Sequence, residues 1–164
     1  MQNSKQLLLG ILMGVAILIY GCGGNNAGDS SSEEPSTEVI SEPEPVVDPE
    51  AKSDSKGVGR FTSLEISAID KSVAKKGEVV FISKCSACHK ATDEKVVGPG
   101  LKNVTLRREP EWIMNMITNP EEMTKKDPVA KALFEKHLVQ MTFQNVSDEE
   151  TRQILEFLRQ NDSK

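Results

Sequence analysis

The sequence predicts an all-α domain, and three observations predict it. Apolar residues recur at three- and four-residue intervals in several windows of the chain's second half. No strand pattern precedes the cysteine pair at Cys85 and Cys88. Ser147, Asp148, Glu149 and Glu150 form a capping box, the signature of a helix start. The chain has 164 residues, enough for one ordinary domain with appendages. Aromatic residues make up 4% and charged residues 27%, so a protein-only core would be modest and a large bound group would help fill it.

The elements can be taken in order. Lys5 precedes an apolar run over 7–20 that ends at Gly21 and Cys22, the order of an export signal. Fourteen such residues are fewer than the roughly 20 that a spanning helix needs. Ile19, Tyr20, Gly21 and Cys22 resemble a bacterial lipobox, with Tyr20 an unusual occupant and Cys22 the lipid-bearing first mature residue. Residues 1–21 are thus read as a lipoprotein-type signal peptide.

Residues 22–56 follow as a disordered acidic tether rich in Ser, Glu and Pro, whose composition buries too little surface to offset chain entropy. Between Asn25 and Lys56 nine acids face only Lys52 and Lys56, a local charge of −7, while the whole chain carries −5. Such a tether would average roughly 30 Å end to end. The part from Gly57 onward is nearly neutral and shows no basic stripe, so nucleic-acid binding has no support. Residues 57–66 are expected to form an extension, with Phe61, Leu64 and Ile66 lying on a domain at 67–164. Lys75, Lys76, Lys84, Lys90 and Lys95 gather around the cysteine pair, either as a solvated face or as a docking patch for an acidic partner.

Within the domain, Ala74, Gly77, Phe81 and Lys84 predict a first helix over 70–84. Trp112, Ile113, Met116 and Ile117 form a helical stripe over 111–118. Ala130, Leu133, Phe134, His137 and Leu138 form another over 128–139, on which His137 reads as a half-buried structural histidine. Ile154, Leu155, Phe157 and Leu158 line one face of the last helix.

Cys85, Ser86, Ala87, Cys88 and His89 spell Cys-x-x-Cys-His, the haem-attachment signature. Each thiol can add across a vinyl group of one porphyrin while the next residue offers an imidazole to its iron. A redox disulfide would need a strand-helix-strand setting, and a structural zinc would need four ligands where the domain offers Cys85, Cys88, His89 and His137.

From 74 to 159 the sequence resembles the class I cytochrome c family, with Gly98, Pro99, Gly100 and Leu101 at the place of that family's Gly-Pro-x-Leu turn. The resemblance implies four to five helices around one covalently attached haem c. It also implies that the Pro99 carbonyl accepts the second ring N–H of His89, that Leu101 packs on the haem, and that the last helix crosses the first at Gly77, Phe81, Ile154 and Phe157. Trp112 matches a position whose indole N–H reaches a haem propionate, with plain burial as the alternative; Arg107 and Arg108 either neutralise propionates or are exposed, and exposure is the reading preferred.

By the same resemblance Met141 is the sixth iron ligand, with Met123 and His137 as rivals, and Thr142 stands where many relatives have proline. Ligation by His89 and Met141 implies a one-electron carrier, an electron-transfer protein rather than an enzyme. An open distal site would instead imply a sensor or catalyst. Residues 111–131 look similar to lipoprotein cytochromes associated with nitrous-oxide reductase. The implied partners are a membrane quinol-oxidising complex as donor and that reductase or a terminal oxidase as acceptor, at the extracytoplasmic face of a bacterial membrane.

Overall fold

Asp70 starts the first helix, as the sequence suggests: its carboxylate accepts from the backbone N–H groups of Ser72 at 2.8 Å and Val73 at 3.2 Å. In the computed structural model, which describes residues 46–164, this helix is α1, Lys71–Lys84. The signal peptide, Cys22 and the tether up to residue 45 lie outside the described residues. Five further helices follow: α2 Val104–Arg107, α3 Pro110–Thr118, α4 Pro120–Lys126, α5 Pro128–His137 and α6 Asp148–Asp162. Among the described residues there are only two isolated β-bridges, so the domain is all-α, with six helices where four to five are expected.

The two additional elements are short, and each depends on tertiary partners. Asp162 at the end of α6 accepts the backbone N–H groups of Asn103 and Thr105, capping the four-residue α2 from outside its own sequence. Helix α4 starts on Pro120, carries Glu121 and Glu122 in its first turn and Lys125 and Lys126 in its last, a charge order that suits the helix dipole. Its polar sequence conceals Met123, which is fully buried. Helix α5 ends two residues before the expected 139, because Leu138 adopts a left-handed conformation at φ 55°.

The core forms where α1 crosses α6. Ile154, Leu155 and Leu158 are buried, Phe81 and Phe157 meet with ring centroids 5.2 Å apart, and Glu156 accepts the N–H of Asp70. Ser147 and Glu150 close the capping box in both directions, and Glu150 also pairs with Lys84 at 3.1 Å, fastening the end of α1 to the start of α6. Helix α3 is buried nearly all round, including Glu111, which pairs with Lys56.

The tether boundary at residue 56 requires correction. Residues 46–56 do not behave as loose chain. Together with 57–66 they form a strap on the domain. Arg108, only 5% exposed rather than a surface residue, donates to the carbonyls of Ala51 and Pro49 and stacks over Trp112. Ser55 donates to Asp127 at 2.6 Å, the Val58 N–H points at Met123 Sδ, and Asn115 binds the backbone of Lys56 and Phe61. Val47, Phe61 and Leu64 pack on the core, while Ile66 stays 43% exposed. The strap is ordered by buried polar partners on α3, α4 and their flanks, which its own composition does not reveal.

A Cβ on Gly77 would lie 1.8 Å from the Gln153 carbonyl oxygen. Replacing a helical glycine with alanine at an open site gains about 1 kcal/mol. Here the methyl forces two backbones apart, so Gly77→Ala is expected to lose about 1–3 kcal/mol in spite of that gain. Guanidinium unfolding of the holoprotein measures it; an unchanged or raised midpoint would contradict this close crossing.

Candidate functional site

The last turn of α1 delivers the first functional residue. Cys85 caps the helix, its N–H bonding to the Phe81 carbonyl, and the chain then coils so that Cys88 and His89 both donate their N–H groups to the Cys85 carbonyl. Cys85 is half-buried and Cys88 exposed. Burial pushes the Cys85 thiol up to about 11. It is therefore neutral at ordinary pH, unlike the thiolate that a redox-active Cys-x-x-Cys pair depends on.

The loop after His89 folds back onto it. Gly98 donates its N–H to the Cys88 carbonyl and Leu101 to that of Lys90, bringing the turn beneath the imidazole. His89 Nδ1 lies 2.8 Å from the Pro99 carbonyl oxygen. A carbonyl only accepts, so Nδ1 carries the proton and Nε2 is left with its lone pair.

Cys85, Cys88, His89, Pro99 and Leu101 line one cavity of about 250 Å3, and Met141 and Trp112 line it too. Most of its wall is apolar, supplied by Phe81, Val104, Ile113, Met116, Ile154 and Leu158. The fold thus brings together every site residue expected within the described part of the chain. It also separates the candidates for the sixth position. Met114 and Met123 are buried in the core and do not line the cavity, whereas Met116, His137 and Met141 do.

The segment around Met141 is braced without the missing proline. Gln140 links Thr124 on α4 to the Met141 carbonyl, and Gln144 donates to Thr142. Trp112 departs from the expected propionate contact: its indole N–H donates to Asp127 at 2.9 Å inside the protein. Asp127 also caps α5 through Ala130 and accepts from Ser55, so this carboxylate organises the wall behind the tryptophan. The sequence signal for it was the Asp-Pro pair that opens a helix. The residue types fit a haem: two thiols, an imidazole, apolar walls and a thioether line one cavity, together with buried nitrogens of Arg107 and His137 that have no protein partner.

The family model for Cytochrome c matches residues 74–162. This chain belongs to the cytochrome c family. A cytochrome c from Rhodothermus marinus is 40% identical, with 64% of this chain and 90% of that one covered and a TM-score of 0.62. An engineered cytochrome c from the same organism is also 40% identical, covering 71% of this chain and all of that one at a TM-score of 0.60. A structure of that engineered protein bound to a carbene intermediate, 1-ethoxy-1-oxopropan-2-ylidene, superposes with a TM-score of 0.58. No curated protein matches this chain. The domain is a class I cytochrome c, a fold that binds covalently attached haem c and serves haem-based electron transfer.

The cytochrome depends on one close approach at the site. A Cβ on Gly98 would lie 2.4 Å from His89 Cε1. Gly98→Ala is therefore expected to turn the imidazole off the Pro99 carbonyl. Haem-stained protein per unit of expressed chain, together with the ferric absorption spectrum, measures the loss; wild-type yield and spectrum would show that the ring is not held this way.

Proposed function

We propose that this cytochrome is a one-electron carrier of a respiratory chain, held at the extracytoplasmic face of a bacterial membrane by lipid on Cys22. Cys85 and Cys88 would hold the haem through thioether bonds, and His89 and Met141 would ligate its iron. The observation that carries this reading is the His89–Pro99 hydrogen bond beside a cavity that Cys85, Cys88 and Met141 also line.

Bound haem supplies an iron that gains or loses one electron. Everything else is the work of the chain. The Pro99 carbonyl leaves His89 Nε2 free to ligate and sets its ring plane. Apolar side chains exclude water, and a thioether ligand favours the reduced metal, so both raise the potential. With His89 and Met141 both on the iron, no place would remain for a substrate, and the bound group would supply electron transfer alone. Cys88 is exposed and lies on the cavity lining, which supports electron exchange on that side. Lys84, Lys90 and Lys95 surround it in the sequence and supply attraction to acidic partners that salt would weaken.

The proposed donor is a membrane quinol-oxidising complex, and the acceptor is a terminal reductase such as nitrous-oxide reductase, or an oxidase. Reduction of purified acceptors by the holoprotein ranks them. No helix among the described residues is long and apolar enough to cross a membrane.

Two expected outcomes test the reading. The ferric holoprotein should show a methionine-to-iron charge-transfer band and the ferrous form should resist CO, with Met141→Ala losing the band and binding CO quickly. Rapid CO binding by the wild type, with no such band, would replace the carrier with an open haem protein. Cys22→Ser should move the protein from the detergent phase to the aqueous phase, and unchanged partitioning would refute lipid attachment.

A further inference from the structure

Helix α4 has seven residues. An isolated helix needs roughly 12–15 to hold together in water, so the neighbours of α4 decide where it lies. Residues four apart share one face of a helix, and two such rows run along α4 and its cap residues. The row of Asn119, Met123 and Asp127 carries the strap. Asn119 donates to the Val58 carbonyl at 3.1 Å, Met123 Sδ receives the Val58 N–H, and Asp127 accepts from Ser55 at 2.6 Å. Gly57 sits so close that a Cβ there would lie 2.6 Å from Met123 Cε. The adjacent row of Pro120 and Thr124 is buried as well, and from it Thr124 reaches the segment that carries Met141.

That segment, 138–147, joins α5 to α6 without a helix of its own, and it contains left-handed Leu138 at φ 55° and Asn145 at φ 52°. From 138 to 145 every residue is exposed except Gln140 and Met141, which are half-buried. At its far end Lys84 of α1 donates to the Asn145 carbonyl at 2.9 Å. Beside Met141 the tie is Gln140. The Met141 carbonyl only accepts, so Gln140 Nε2 faces it, at 2.8 Å. Gln140 Oε1 is then turned to the Thr124 hydroxyl, 3.0 Å away. Two oxygens meeting through lone pairs would repel, so the hydroxyl proton points at Gln140 and not at the Pro120 or Glu121 carbonyls, both at 3.1 Å. Donors thus run in one sense from α4 to the backbone of Met141.

We propose that Thr124 and Gln140 position Met141, and that the strap, by holding α4, sets how readily this methionine leaves the iron. The inference rests on Met141 being an axial ligand. Thr142 lacks the fixed φ that a proline would give the loop, so restraint falls to the side-chain strut beside it. The strap supports that strut at both ends of α4 and at its middle. A loosened thioether would favour reduced iron less, which lowers the potential.

The test uses the full-length ferrous holoprotein, in which CO binds only when Met141 departs. Thr124→Val and Gln140→Leu should each speed CO binding about two- to tenfold, the worth of a hydrogen bond, and the double variant should be no faster than the quicker single. Thr124→Ser, which keeps the hydroxyl, should restore the slow rate. Ser55→Ala, in the strap and off the cavity lining, should speed binding in the wild-type background but add nothing to Thr124→Val. Midpoint potentials should fall in the same order. Unchanged CO rates in Thr124→Val and Gln140→Leu would overturn the proposal even if their guanidinium midpoints drop, since the contacts would then be structural only. So would a Ser55→Ala effect that is absent, or equal in both backgrounds. Amide exchange of residues 139–142 separates this inference from the axial assignment. A wild type without the methionine-to-iron band defeats the assignment, whereas exchange that fails to quicken in Thr124→Val and Ser55→Ala defeats the strut.

Discussion

The Gln153 carbonyl occupies the space that any side chain at residue 77 would need, and this contact between two backbones sets the spacing of the whole site. With α1 and α6 so close, Phe81 and Phe157 meet with tilted rings one turn further on, and Ile154 and Leu158 come to face the cavity. The same helix then ends at Cys85, which places the haem motif against a wall built by its crossing partner. Lys84 and Glu150 fix the far end of that arrangement. Packing and attachment chemistry are thus consequences of one crossing, and a shift there would move a thiol as well as a hydrophobic floor.

Polar groups set orientation where packing alone would not. The Pro99 carbonyl fixes which nitrogen of His89 bears the proton, and Gly98 allows the turn close enough to do so. Asp127 performs a comparable task behind the cavity, serving Trp112, Ala130 and Ser55 with one carboxylate. Among the described residues buried side-chain polar atoms have partners, with Arg107 Nε and the two His137 ring nitrogens on the cavity lining as the exceptions.

Much of this was legible in the sequence where a local rule and a tertiary need coincide. Asp70 and Ser147 mark the starts of α1 and α6 because their side chains cap helices through neighbouring amides, and amphipathic stripes identify α3 and α5. Helices α2 and α4 escaped because neither carries its stability locally: one is capped by Asp162 from 57 residues away, and the other hides a buried methionine in a polar stretch. At the site, the Cys-x-x-Cys-His run and the Pro99 turn are contiguous signals. Composition misjudged the strap, since Ser, Pro and Asp look like loose chain until Arg108 and Asp127 receive them. The partner of the Trp112 indole and the isolation of His137 are likewise three-dimensional facts.

The strap changes what counts as the smallest autonomous piece of this protein. The family model begins at residue 74, but the physical domain reaches back at least to Val47. A chain trimmed to the matched residues would leave Arg108, Glu111, Asn115 and Asp127 without partners they now hold, each loss costing about 1–3 kcal/mol if the group stays dry. The family model is therefore shorter than the cooperative fold, while the engineered Rhodothermus marinus protein that aligns with 71% of this chain shares more of it than residues 74–162, and the border that matters for making a stable fragment is that of the fold.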